Sequence, residues 1–324
     1  MTKRVTIKDV AQHAGVSISV VSYVLNGAEK PVISEATRKR VFEAVKALGY
    51  VPNRTAATLR KGKSNTLGII SFWDHSFVYE HFLQGIMSAA KKLGYNTVIC
   101  QADPETSELE YIRYYLDRMI DGVILILPID RNTYDIKKHL DALIKHDVPF
   151  SAIGDPVDGY NENIINIDYA STALCACRYF AKKGYKKITY VAPRSVNFGD
   201  RDRMDGYLRA SKELGFATDI CYMDEIEQKL PSIKAAVVYK SAGALTLLRE
   251  AEKQGIIIPR DLELIAANTE VYSEFVNPSL STVVLPSREM GVAAAEKLIS
   301  KIEGEETPNP VFPDCELRLL ETTK

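Results

Sequence analysis

Residues 6–26 read TIKDVAQHAGVSISVVSYVLN, and this stretch decides the fold of the amino-terminal part of the chain. Thr6 can cap a helix, and Asp9, three residues on, completes a capping-box pattern. Val10, Ala11 and Ala14 give that helix a small apolar face. Gly15-Val16 makes a tight turn. Ser17 then caps a second helix whose buried side is Val21, Val24 and Leu25, with Asn26-Gly27 as the stop signal. Two short helices joined through a glycine turn make a helix-turn-helix, the arrangement whose second helix enters the major groove of DNA. Helical hairpins that never touch DNA pack in the same way, so the remainder of the chain has to decide.

Outward from this stretch, Ser34 caps a third helix over residues 35–48, which ends at Gly49. Its apolar face, Ala36, Val41, Val45 and Leu48, should close a three-helix core on Val10 and Val21, with Tyr50 as its cover. About fifty residues bury little surface, so this headpiece is expected to be marginally stable alone. Charge separates it from the rest. Residues 1–63 hold 12 Lys/Arg against 4 Asp/Glu, a net +8, whereas the other 261 residues hold 29 against 38, a net −9. A basic headpiece on an acidic body points to a polyanion held at one end.

The five cysteines, Cys100, Cys175, Cys177, Cys221 and Cys315, form no zinc pattern and are expected to be core thiols in a reducing cytosol. Neither a secretory signal nor a membrane-spanning run is visible, which gives a cytoplasmic expectation. No P-loop, dinucleotide-binding glycine turn or His/Cys/carboxylate cluster is present, so neither a cofactor nor a metal nor catalysis is expected.

From Thr66 onward strands and helices alternate. Strands are expected over 67–71, 96–100, 122–127, 150–153 and 164–167, with helices over 80–93, 105–119 and 133–145 between them, as in a parallel doubly wound sheet. After a helix over 171–182 a second such unit follows, with strands over 187–191, 220–223, 235–239 and 263–267 and helices over 203–214 and 242–254. The chain returns at 281–285, and a helix over 288–302 should pack back on the first unit. Ligands in such sheets bind at the carboxyl ends of the strands, which here means a cleft between the lobes.

The helix-turn-helix, the segment PNRTAATLRKGK (residues 52–63) and this long α/β part, in that order, resemble the lac-repressor (LacI/GalR) family of transcription regulators over the whole chain. The resemblance implies a headpiece over 1–50, a hinge helix over 51–64, and a periplasmic-binding-protein-like effector and dimerisation core over 65–324. In that core the first lobe spans about 65–182 plus 286–316 and the second about 183–285 plus 317–324. The implied function is that of a homodimeric regulator, a repressor, on a near-palindromic DNA operator, modulated by a sugar-like small molecule.

Residue by residue, Ile18, Ser19 and Tyr23 fall where the family reads base edges. Ile18 suits a thymine methyl and Ser19 either class of base. Tyr23 stands where an arginine is common, so the half-site should differ from the usual one. Thr6, Ser17, Ser22, Asn26, Ser34 and Thr37 are candidate phosphate contacts, with plain helix capping as the competing reading. In the hinge, Leu59 matches the leucine that the family wedges into the central base step, with Ala56 beside it and Arg54 and Arg60 as phosphate or minor-groove contacts; a flexible tether is the alternative.

In the cleft, Arg203 falls where the family grips its effector. Phe72, Trp73, Phe77 and Tyr169 would supply ring faces, and Asp168, Lys240 and Asn268 hydrogen bonds. Lys240-Ser241, Asn268 and Tyr169 depart from the family pattern. They leave two readings: an altered pocket for a sugar, a nucleoside, an aromatic ligand or, given Lys240 with Arg203, an anion such as a sugar phosphate; or a pocket without a ligand, with a protein partner or DNA alone setting activity. A sugar-binding protein that does not act on DNA explains the α/β part but not the basic headpiece. A carbohydrate-active enzyme would need paired carboxylates, for which Asp155 and Asp168 are the weak candidates.

Overall fold

A computed structural model describes residues 5–25, 32–51, 62–72, 77–101, 108–128, 135–194, 197–305 and 310–324. The chain divides into two compact units, Met1–Ser64 and Asn65–Lys324.

In the first unit, helix α1 (Ile7–Ala14) starts at a capping box: Thr6 Oγ1 accepts from the Asp9 N–H, and the Asp9 carboxylate accepts from the Thr6 N–H at 2.7 Å. Gly15 ends it in the left-handed region at φ 64°, a conformation that costs a residue without Cβ little. Ser17 caps helix α2 (Ile18–Leu25) through the Val20 N–H, and Ser34 caps α3 (Glu35–Leu48) through the Thr37 N–H, each at 3.3 Å. Val10, Ala11, Ala14, Val21, Val24, Val41, Ala44 and Tyr50 form the buried core. Ala36 is exposed and Ala44 takes the buried place expected for it. Ala44 is three residues from Val41, so the two share one face of α3, and Ala36 lies in the capped first turn beyond that face.

The second unit holds two doubly wound sheets. The first comprises β1 (Thr66–Ser71), β2 (Asn96–Gln101), β3 (Gly122–Ile126), β4 (Phe150–Gly154) and β5 (Ile164–Asn166), in the order β2-β1-β3-β4-β5 and parallel throughout. One face packs on α4 (Phe77–Lys92), the other on α5 (Glu108–Leu116) and α6 (Ile136–Lys145). The runs GVILI and FSAIG of β3 and β4 are buried at every position, as strands covered on both faces must be.

The chain then enters α7 (Tyr169–Lys182), whose Ala173, Ala176, Cys177 and Phe180 pack into the core of the second sheet. Residues up to 182 do not, therefore, all belong to the first lobe, as the sequence suggested: the apolar face of α7 fits the second sheet. That sheet comprises β6 (Lys187–Ala192), β7 (Ala217–Tyr222), β8 (Ala235–Val238), β9 (Glu263–Ala266), β10 (Thr282–Val284) and β11 (Glu316–Arg318). Its order is β11-β10-β9-β8-β6-β7, with β11 antiparallel at one edge. β7 starts three residues before the expected strand, because Ala217-Thr218-Asp219 lies on the other edge and carries partly polar, exposed residues.

Helices α8 (Phe198–Leu214), α9 (Ile226–Lys229) and α10 (Ser241–Lys253) cover this second sheet, α9 being one short α-helical turn between the 3-10 turns Met223–Glu225 and Leu230–Ser232 that link β7 to β8. Helix α11 (Ser287–Glu303) returns to the first lobe, as expected, with Met290, Ala294, Ala295, Leu298 and Ile299 in its core. The five cysteines are free thiols; Cys177 and Cys221 are buried and the other three partly so.

Helix α8 crosses α7 at close range. A Cβ on Gly206 would lie 2.2 Å from the Ala170 carbonyl oxygen and 2.7 Å from its Cα. Backbone on both sides cannot yield as a side chain would. Gly206→Ala should therefore destabilise the α/β unit by about 1–3 kcal/mol, read as a lowered thermal midpoint; an unchanged midpoint would mean that the crossing relaxes freely.

Candidate functional site

On the headpiece, the capped start of α2 places Ser17, Ile18 and Ser19 in solvent. Ile18 and Ser22, and Ser19 and Tyr23, are four residues apart and so stack on one helix face. Ile18 is 47% exposed and Tyr23 38%, which leaves an apolar and an aromatic side chain on a surface with no described cover. Thr6, Ser17 and Ser34 all act as helix caps, and Thr37 is joined to Ser34 by a hydroxyl–hydroxyl contact of 2.9 Å. The capping reading therefore holds for Thr6, Ser17 and Ser34, while Thr37 gives its N–H to the Ser34 cap; capping leaves other N–H groups of the first turn that suit a phosphate. Asn26, Arg54, Ala56, Leu59 and Arg60 lie outside the described residues, as does Trp73. Phe77 opens α4, and its side chain is likewise outside the description.

In the α/β unit a cavity of about 240 Å³ opens at the carboxyl ends of the strands of both lobes. The first lobe gives it an apolar wall: Val78, Tyr79 and Phe82 from α4, Leu127 after β3, and Ile167 after β5. Asp155, buried at the end of β4, is the charged residue of that side. The second lobe contributes Asn197, Arg203, Lys240, Asn268 and Glu270, from the segments that follow β6, β8 and β9.

Arg203 is buried and fixed on three sides. Its guanidinium carbon sits 4.4 Å above the centre of the Tyr169 ring, its Nε donates to the Ala267 carbonyl at 3.3 Å, and its Nη1 lies 3.8 Å from Asp200 Oδ1. Tyr169 in turn rests on the start of α8, where a Cβ on Gly199 would come within 3.0 Å of the ring. Lys240 Nζ meets the same Asp200 Oδ1 at 3.3 Å, an ion pair without hydrogen-bond geometry. The other oxygen, Oδ2, accepts from the Asn197 N–H at 3.4 Å in the capping box that begins α8. That box explains why α8 begins at Phe198 and not at Arg203.

Burial raises the Tyr239 phenol above its ordinary value, and the Asp200 carboxylate adds to the rise. Beneath the cluster the Tyr190 hydroxyl is buried without a hydrogen-bond partner among the described residues, and burial pushes it well up. Asn268 Oδ1 accepts from the Ser241 N–H at 2.6 Å, holding the start of α10, while its amide donates to Glu270 at 3.2 Å.

Four of the expected cleft residues, Tyr169, Arg203, Lys240 and Asn268, thus meet at one cavity. Two do not. Asp168 caps α7 through the Ser171 N–H at 3.0 Å and does not line the cavity. Phe72 is buried in the core behind β1, edge-on to His139, because its side of the strand faces α5 and α6. Asp200, Asp155 and Glu270 were absent from the expected effector set. The spacing Asn197-x-x-Asp200 is a capping-box signal that would have marked the first of them.

Both parts of the chain have counterparts among known proteins. Residues 6–53 match the model of the bacterial regulatory proteins of the lacI family, and residues 177–319 that of the periplasmic binding protein-like domain. The chain is 30% identical to catabolite control protein A of Priestia megaterium over 94% of each chain. It is 31% identical to the transcriptional regulator MalR of Staphylococcus xylosus, over 93% of this chain and 92% of the other. Among solved structures, the lac repressor dimer bound to operator and the anti-inducer ONPF shares the fold with a TM-score of 0.78, at 22% identity over 99% of both chains. The chain belongs to the lacI family of bacterial regulatory proteins, DNA-binding transcription regulators and not enzymes.

Proposed function

We propose that the protein is a homodimeric repressor that binds a near-palindromic operator and is controlled by a small molecule in the cleft between its lobes. The observation that carries the DNA-binding half is the solvent face of α2, where Ile18, Ser19 and Tyr23 stand clear of the headpiece core. Base edges in the major groove are read by such a helix, with phosphate contacts setting its register. The net +8 of residues 1–63 supplies the salt-dependent part of the affinity. Arg54, Ala56, Leu59 and Arg60 are assigned to the hinge, where Leu59 would enter the central base step. No helix among the described residues is long and apolar enough to cross a membrane, and the proposed place of action is the cytoplasm, with the DNA.

The cavity supports a ligand-controlled reading over one in which the pocket has lost its ligand. Its enclosed apolar wall and convergent polar groups are what a small hydroxylated molecule needs. A ligand that binds one arrangement of the lobes better than another would couple cleft and operator as a single linked equilibrium.

For the second subunit, the second lobe offers an apolar groove lined by Leu245, Leu248, Ile257, Ile258 and Val276, with Phe275, 82% exposed, next to it in sequence. A second copy of the chain is its proposed occupant, since a two-fold operator requires a two-fold protein. Ile257 is 48% exposed, so Ile257→Asp should fold normally yet halve the mass seen in sedimentation; a wild-type mass would free the groove from this role.

Two further variants test the DNA contacts on an operator selected from random sequence. Tyr23→Ala should change the selected half-site, with a loss of about 1–3 kcal/mol on the original operator at fixed salt. Selection of the same sequence by both proteins would show that Tyr23 does not read bases. Leu59→Ala should weaken operator binding and reduce the bend, and an unaltered phasing assay would remove the wedge.

A further inference from the structure

The chain passes between the lobes three times: from β5 into α7, from β10 into α11, and from α11 into β11. Tyr169 stands at the first of these passages, and its backbone belongs to the second lobe. It opens α7, whose Ala173, Ala176, Cys177 and Phe180 lie in the core of the second sheet. The next residue, Ala170, is clamped on α8. Its N–H donates to Asp202 Oδ2 at 2.9 Å, and its carbonyl oxygen lies where a Cβ on Gly206 would meet it at 2.2 Å. The Thr172 hydroxyl closes the turn by donating to the Tyr169 carbonyl at 2.6 Å.

The ring goes the other way. It is buried and belongs to the apolar cluster of the first lobe, with Ile126, Ile153 and Ile167, which share the cavity wall with it. A residue anchored in the second lobe thus ends in the core of the first. Its seat is built from the second-lobe side, where the Arg203 guanidinium carbon lies 4.4 Å from the ring centre. Gly199 leaves room for the ring edge: it lies in α8 without a positive φ, so no backbone conformation demands a glycine there, and a Cβ would stand 3.0 Å from Tyr169 Cε2. Arg203 cannot drift from the ring, because the Ala267 carbonyl holds its Nε at 3.3 Å and Asp200 faces its Nη1. A cation on a ring face screened from water is attracted more strongly than one on an exposed ring.

Rotation of one lobe against the other therefore carries the ring with the second lobe and through the packed cluster of the first. Packed cores resist continuous deformation and move between discrete arrangements. We propose that Tyr169 is a positioning residue, a peg carried by the second lobe and seated in the first, which through Arg203 fixes the angle between the lobes and with it the affinity for the operator. The link to DNA rests on the regulator reading given above. The angle is a property of each subunit and stands without it.

The test uses the full-length protein with spin labels on ketone side chains introduced at two exposed positions, Lys145 of the first lobe and Glu213 of the second, which leaves the five cysteines in place. Labelled subunits are diluted in unlabelled protein, and the distance distribution between the lobes is read by pulsed electron resonance. Operator affinity is followed alongside at fixed salt. Tyr169→Leu should broaden or shift the distribution and weaken operator binding by about tenfold or more. Tyr169→Phe, which keeps the ring face on Arg203, should match the wild type in both. Arg203→Met leaves Tyr169 in place and should also broaden the distribution; it carries the test if Tyr169→Leu loses its cooperative unfolding transition. A wild-type distribution in folded Tyr169→Leu or in Arg203→Met, or a Tyr169→Phe protein that behaves as Tyr169→Leu, would overturn the peg. A broadened distribution with unchanged operator affinity would overturn its part in DNA control. Wild-type protein that binds no operator would instead fail the regulator reading, and the distances would still decide the peg.

Discussion

One carboxylate sets the second lobe's side of the cleft. Asp200 reaches backward with one oxygen to the start of its own helix and forward with the other to Arg203 and Lys240. Those partners come from different places, Arg203 one turn along α8 and Lys240 from the segment after β8. A buried charge without partners would cost several kcal/mol, so the three side chains hold one another in place or not at all. Tyr169 extends the arrangement to the first turn of α7, since its ring lies against both Gly199 and Arg203. The geometry of the site is thus a property of four segments brought together, and none of them carries it alone.

This is why the sequence discloses the two ends of the protein unequally. The headpiece is legible because its signals are local: a capping box within four residues, a glycine in a left-handed turn, and serines one residue before each later helix. The parallel sheets are legible because strands buried on both faces read as short apolar runs, as in residues 122–126 and 150–154. Where a strand lies at an edge, as β7 does, that signal weakens and the boundary shifts. Ala36 and Ala44 are indistinguishable by residue type, and only the packing of α3 on its neighbours separates them.

In the cleft the residue types are legible and their electrostatic sense is not. Arg203 and Lys240 stand out as cations in the sequence, yet the carboxylate they share is that of Asp200, and Asp155 and Glu270 line the same cavity as the two cations. Their approach depends on crossovers that no local pattern encodes. Asp168 shows the converse case. It lies next to Tyr169 in sequence, but its direction is fixed by the helix it caps, and it turns away from the cavity that Tyr169 lines. Neighbours in the chain part company once one of them has to satisfy a helix end.

The return of α11 to the first lobe has a bearing on how the protein is made. The sheet of that lobe is complete once residue 166 has been synthesised, but one of its faces is shared between α4 and α11, and α11 does not begin until Ser287. At their crossing a Cβ on Gly291 would stand 2.2 Å from the Phe82 carbonyl oxygen, so the two helices meet backbone to backbone. On the ribosome, part of the surface of Leu67, Ile69 and Ile124 waits for α11 while β6 to β10 of the second sheet emerge. Each lobe is completed only near the end of the chain, the first by α11 and the second by β11. A nascent chain of this design keeps part of that apolar face exposed until residues 287–303 have been made.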